Sequence, residues 1–167
     1  PAYRDLMSVD LETGKKRMLI KDARVGDLAF NAADASIWGL RHLNGYVSLV
    51  RIPPPYTEWN QLYTWPYGQV PYEMDVSPDG SMLSMSLGEI DASQYLRVFK
   101  TDDLLQGKAE HFAEYNFVTS VPEGFVFSPD GRYLFGSSFL TGVSNIFRYE
   151  IETGDMEGVS NAETGYF

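Results

Sequence analysis

The tetrapeptide Ser-Pro-Asp-Gly occurs twice in this chain, at Ser77–Gly80 and again at Ser128–Gly131, each time between two short hydrophobic runs. Pro presets φ for the first corner of a tight turn and Gly accepts a φ that other residues avoid. The flanks alternate as strands do, with Met74 and Val76 before the first copy and Leu83 and Met85 after it. The second copy has Gly124-Phe125-Val126-Phe127 before it and Tyr133-Leu134-Phe135 after it. Each copy therefore reads as a β-hairpin. A chain that repeats the same hairpin is constrained to a repeat architecture.

A degenerate third copy lies upstream, where Leu28-Ala29-Phe30 leads through Asn31-Ala32-Ala33-Asp34 to Ile37-Trp38-Gly39. Phe30 to Ile37, Val76 to Leu83 and Phe127 to Leu134 are all separated by seven positions, and the three anchors lie 46 and 51 residues apart. A second self-similarity links Val9-Asp10-Leu11-Glu12-Thr13-Gly14 to Tyr149-Glu150-Ile151-Glu152-Thr153-Gly154, offset by 140 residues. That offset is three repeats of about 47 residues, the length of one four-stranded propeller blade. The expected fold is all-β: a β-propeller segment of four-stranded antiparallel blades at about 25–70, 71–119 and 120–162, with a half blade at 1–24 and the start of a further blade at 163–167. Leu28, Phe30, Met74, Val76, Leu83, Met85, Phe125, Phe127 and Leu134 are the expected core.

The hydrophobic strand, the Ser-Pro-Asp-Gly turn, the second strand and the later Glu-Thr-Gly turns at 12–14 and 152–154 resemble the WD40-like (PD40) repeats of the TolB family of β-propellers. The resemblance spans essentially the whole chain and implies a periplasmic or otherwise exported setting and an envelope-associated complex. No partner contacts carry over residue by residue, because nothing beyond the repeat motif matches. Similar repeats also serve as access-gating propellers of serine peptidases whose catalytic domain lies elsewhere in the polypeptide. The sequence opens at what should be a third strand, so a longer parent polypeptide is expected. Assembly of several copies into a closed ring is the alternative. An open array of blades also predicts self-association.

Composition narrows the partners. There are 13 basic against 23 acidic side chains, a net charge of −10 that opposes binding to a phosphate backbone and argues against nucleic acid. No apolar stretch reaches the roughly 18 residues of a membrane span. The absence of cysteine excludes disulfides and thiolate metal sites. No nucleophile elbow, phosphate-binding loop, dinucleotide fingerprint, zinc-protease or EF-hand signature is present. His42 reads as a loop residue and His111 as part of an outer strand, neither with a metal-ligand companion. Asp79 and Asp130 read as turn formers, and Asp102-Asp103 and Gly88-Glu89-Ile90-Asp91 as solvated loop charges. No catalytic residue, metal or cofactor is expected.

The richest candidate surface is the stretch 52–72, with six aromatics and five prolines in 21 residues. Pro53-Pro54-Pro55 cannot donate to a ladder and belongs in a loop or at a sheet edge. Tyr56, Trp59, Tyr63, Trp65 and Tyr67 are the candidate partner-binding residues, a rigid amphipathic platform for a protein, peptide or glycan. Packing of Trp59, Tyr63 and Trp65 between blades is the competing reading. A second candidate pairs the loops Gly88–Gln94 and Phe139–Ser144, which join second and third strands in successive blades.

Overall fold

A computed structural model describes residues 3–163. It contains three four-stranded antiparallel meanders and one two-stranded sheet. The two-stranded sheet pairs β1 (Leu6–Val9) with β2 (Lys16–Ile20). The first meander runs β3 (Val25–Asn31), β4 (Ser36–Leu43), β5 (Tyr46–Ile52) and β6 (Asn60–Thr64). The second runs β7 (Val70–Val76), β8 (Met82–Gly88), β9 (Gln94–Lys100) and β10 (His111–Asn116). The third runs β11 (Glu123–Phe127), β12 (Tyr133–Ser138), β13 (Asn145–Glu150) and β14 (Met156–Gly158). One short helix, α1 (Thr101–Leu105), interrupts the connection from β9 to β10. This is the all-β propeller architecture the repeats imply. Residues 164–167, expected to open a further blade, lie outside the described residues.

The seven-residue spacing turns out to be a register. Phe30 pairs with Ile37, Val76 with Leu83 and Phe127 with Leu134 across the three hairpins. Each Ser-Pro-Asp-Gly turn is closed by its own side chains. Ser77 Oγ donates to Asp79 Oδ1 (2.7 Å) and accepts from Met82 N (2.9 Å), while Asp79 Oδ1 also accepts from Ser81 N (3.0 Å). Ser128 and Asp130 repeat the arrangement, with Ser128 Oγ to Asp130 Oδ1 at 2.6 Å and Tyr133 N to Ser128 Oγ at 3.0 Å. In the degenerate copy Asn31 Oδ1 accepts from Ala33 N and Asp34 Oδ1 from Ser36 N, both at 2.9 Å. The turn survives there with a shifted carboxylate, and Ala35 takes the left-handed backbone (φ 58°).

The inner strands share a feature that the repeat motif does not announce. Asp27, Glu73 and Gly124, at equivalent positions of β3, β7 and β11, all have positive φ (45°, 46° and 62°), and the ladder shifts register at each of these places. A β-bulge at that point bends the strand and increases its twist. The bulged strands lie beside one another. Glu73 Oε2 accepts from Gly124 N (2.6 Å) and Asp75 Oδ2 from Phe127 N (2.8 Å), so β7 and β11 run in the same direction, joined by carboxylates instead of a ladder.

Three apolar layers fill the gaps between sheets. Ala29, Trp38, Leu40, Leu49 and Trp65 meet Val76, Leu83, Met85, Leu87 and Phe99 between the first two meanders. Leu96, Val98 and Phe117 meet Phe125, Leu134, Phe147 and Tyr149 between the second and third. Leu6, Ile20 and Ala23 cover Val25, Val50 and Ile52 beneath the two-stranded sheet. Of the expected core, Val76, Leu83, Met85, Phe125 and Leu134 are buried, and Met74 and Phe127 are half-buried. Leu28 and Phe30 are a correction: they are 48% and 58% exposed. The anchors Val76 and Phe127 face the preceding meander, but Phe30 faces the β1–β2 pair. Those two strands cover the Val25, Val50 and Ile52 part of that face and leave β3 at Leu28 and Phe30 open to water. His42 is also corrected, from a loop to the end of β4.

Candidate functional site

Consecutive connections of a meander alternate between the two ends of its sheet, and the parallel inner strands bring like ends together. The hairpin turns at 31–36, 77–81 and 128–132 therefore occupy one end, together with loop 53–59, α1 and the turn at 150–155. The other end collects Asn44-Gly45, 65–69, 89–93, 117–122 and 139–144, along with the 21–24 connection into β3.

This geometry divides the aromatic stretch. Tyr56 and Trp59 belong to the turn end, where Tyr56 Oη donates to Ala35 O (2.7 Å) and both rings pack on the Val50 and Ile52 layer. Arg41 lies over the Trp59 ring, its Cζ 5.1 Å from the centroid. Strand β6 then carries the chain about 17 Å to the opposite end. Tyr63 and Trp65 form an edge-to-face pair with centroids 5.1 Å apart, and Trp65 is only 3% exposed. Tyr115 and Phe117 repeat that pair in the next sheet at 5.0 Å, which marks it as an inter-sheet packing device. Tyr67 alone stands out, 72% exposed. The five rings do not share a surface.

Tyr67 instead joins a different set. Its ring meets Tyr46 at 6.1 Å and lies over Gly45, where an added Cβ would approach it to 3.4 Å. Ile90, 83% exposed, lies against Gly68. A cleft of about 390 Å³ continues from Gly68 and Val70 past Tyr72, Gly88 and Gln94 to Val121. Val118 (63% exposed) and Phe139 extend the apolar side chains of this end to the third meander. The cleft floor is fixed by polar contacts: Tyr72 Oη donates to Gln94 Oε1 (2.7 Å), and Gln69 Nε2 to Glu89 Oε1 (3.1 Å). Burial, reinforced by Glu73 and Glu123, pushes the Tyr72 phenol up to about 12, so it stays a donor at any physiological pH. Of the two loops expected to act together, Gly88–Gln94 supplies Ile90 and the cleft wall, and Phe139–Ser144 supplies Phe139. Tyr46, Val70, Val118 and Val121 escaped the sequence reading. Their signal was a large apolar side chain beside turn residues.

The titratable groups have local roles. Arg97 is held by Glu114 (2.6 Å) and Glu89 (3.7 Å), and His111 Nε2 lies 3.4 Å from the same Glu114 carboxylate. Asp91 accepts from Ser93 N (2.9 Å). Asp102 and Asp103 occupy the first turn of α1, where exposed N–H groups favour negative charge. Among the described residues, no group of three or more His, Cys, Asp or Glu is placed to hold a metal ion, and no helix is long and apolar enough to cross a membrane.

No protein-family model and no curated protein sequence matches the chain. Solved structures do. TolB from Acinetobacter baumannii superposes with a TM-score of 0.76 at 14% identity, over 99% of this chain and 40% of that one. A puromycin-hydrolyzing peptidase from Mycobacterium tuberculosis gives 0.68 at 15% identity, over 95% and 28%. A chain of the nidogen/laminin complex gives 0.64 at 14% identity, over 95% and 58%. At these identities the likeness shows the β-propeller fold. The chain spans less than two thirds of the length of each.

Proposed function

We propose that this propeller segment is a non-catalytic binding module of a larger, exported bacterial envelope protein, and that it takes a protein or peptide partner on the loop end. The observation that carries the reading is the run of exposed apolar side chains on that end. Tyr46, Tyr67 and Ile90 come from the first two meanders, and Val118, Val121 and Phe139 from the second and third. Large exposed aromatic and aliphatic groups on connections held by a rigid scaffold are the usual makings of a recognition surface. The likeness to TolB and to a chain of the nidogen/laminin complex supports partner binding and export without identifying either.

A photo-crosslinking residue placed at Ile90 or Val118 of the parent protein in cells tests the reading. A defined protein adduct is expected from these positions and not from Leu105 at the opposite end, and Tyr67→Ala should suppress it. Equal adducts from both ends, or none from the loop end, would count against it.

The likeness to a puromycin-hydrolyzing peptidase favours a second reading, an accessory propeller that gates access to a catalytic domain elsewhere in the polypeptide. Residues following Phe167 in the parent distinguish the two: an α/β domain with a Gly-x-Ser-x-Gly elbow supports the gate, and further blades alone support the binding module.

A further inference from the structure

We propose that Arg4, Arg24 and His42 form an oxyanion site that binds a carboxylate or phosphate group. The three side chains, with Tyr3, line a single cleft of about 370 Å³. Their backbones are linked in series: Arg24 N donates to Arg4 O (2.9 Å), and His42 N donates to Arg24 O (3.0 Å). Three basic residues far apart in sequence are thus held side by side.

Two further features prepare the arginines. Arg24 adopts φ 55°, a left-handed backbone unusual outside Gly and Asn, and its guanidinium lies over the Tyr3 ring with Cζ 3.4 Å from the centroid. Stacking uses the face of the guanidinium and leaves its edge donors free. Arg4 Nη1 fills the space above Gly26, where any Cβ would come within 2.5 Å of it. Gly26 has no positive φ, so a side chain there would meet only the movable end of the Arg4 side chain.

Among the described residues, neither arginine forms an ion pair, nor do Arg17 and Arg41, whereas Arg51, Arg97, Arg132 and Arg148 do. What sets Arg4 and Arg24 apart is that they line one cleft together without an ion-pair partner, in a chain of net charge −10. Paired forks match the planar oxygens of a carboxylate or phosphate. The cleft is near the small end of ligand sites, suited to an anionic group and too small for a folded partner. The site lies at the same loop end as the apolar surface proposed for partner binding but shares no lining residue with it.

Titration of the 167-residue chain at low ionic strength with sodium phosphate, and separately with sodium succinate, tests the proposal by amide NMR shifts. The chain should saturate, with shifts at Arg4, Arg24, Gly26 and His42. Arg4→Gln and Arg24→Asn should each weaken binding about tenfold, as expected for loss of one charge-assisted hydrogen bond. Asn tolerates the left-handed backbone, and if Arg24→Asn still melts early, Arg4→Gln decides. Gly26→Ala displaces the Arg4 guanidinium without changing charge and should weaken binding severalfold. Lys108→Gln, remote from the cleft, should bind as the unaltered chain does. Saturation by phosphate alone assigns a phosphate group, and by succinate alone a carboxylate. Saturation by neither, unchanged binding in Arg4→Gln, or equal weakening in Lys108→Gln would overturn the assignment.

Discussion

Gly80 and Gly131 are the same residue of the same motif with nearly the same φ, +76° and +70°, yet their surroundings differ. A Cβ on Gly80 would fall 2.6 Å from Asn31 Oδ1 and 2.7 Å from Ala33 Cβ, whereas one on Gly131 meets only Met82 Cε at 3.5 Å. Left-handed backbone costs a non-glycine residue about 1–2 kcal/mol, and overpacking adds about 1–3 kcal/mol. Gly131→Ala should therefore cost about 1–2 kcal/mol and Gly80→Ala about 2–5 kcal/mol in denaturant unfolding. Equal losses would contradict the packing of the first turn against the second. The aspartates of these turns also give stability a pH dependence. Hydrogen bonds from Ser77 and Ser81 hold Asp79 below its ordinary pKa, and those from Ser128 and Arg132 do so for Asp130. A carboxylate with a depressed folded value contributes stability above the unfolded pKa of about 3.9 and loses it as pH falls through the folded value. Half-buried Asp75, raised by desolvation, works in the opposite sense. The melting temperature should fall on acidification below about pH 4, and less steeply in Asp79→Asn. The turns were legible because Pro, Asp and Gly each act locally. The exposure of Phe30 was not, since it depends on which strands cover its face.

At the scale of elements, the hairpins could be read and the bulges could not. Gly124 advertises a left-handed residue in an inner strand, its equivalent Asp27 does so only weakly, and Glu73 not at all. What the alternation did show is that Met74 and Val76 face one way, so Glu73 and Asp75 must face the other. That other side is the neighbouring strand β11, where both carboxylates accept backbone N–H groups. Removing one partner of a half-buried hydrogen bond costs about 1–3 kcal/mol. Asp75→Ala should destabilise by that amount in a chemical melt, and a neutral result would show that Phe127 N does not depend on Asp75. The aromatic stretch is divided for a geometric reason. Residues close in sequence across a five-residue strand end up at opposite ends of a sheet, so Tyr56 and Tyr67 cannot serve one surface. Tyr63-Thr64-Trp65 has an in-phase counterpart in Tyr115-Asn116-Phe117, and that correspondence was the available clue to its packing role. Helix α1 left little trace, as five residues are too few for a periodic pattern.

Across the molecule, burial follows the gaps between sheets. Leu28 and Phe30 are exposed on β3 and Val126 and Ile146 on the third meander, and Leu28 and Val126 both line a cleft along the inner strands. Exposed strands with apolar side chains invite pairing with further chains. Sedimentation of the 167-residue chain should show concentration-dependent association, reduced in the Leu28→Ser, Phe30→Ser double variant; a monomer at all concentrations would contradict this. The same distribution separates a buried second-strand leucine from an exposed first-strand anchor. Leu134→Ala, at a fully buried site, should cost about 2–5 kcal/mol, and Phe30→Ala under about 1 kcal/mol.

Three hairpins of one kind stand side by side with their inner strands aligned. Backbone and side-chain NOEs of the isotope-labelled chain test it most directly. Cross-strand contacts are predicted for Phe30 with Ile37, Val76 with Leu83 and Phe127 with Leu134, together with contacts from the Asp75 strand to Phe127. Helical contacts across either Pro-Asp-Gly corner, or a different pairing in one of the three hairpins, would contradict it.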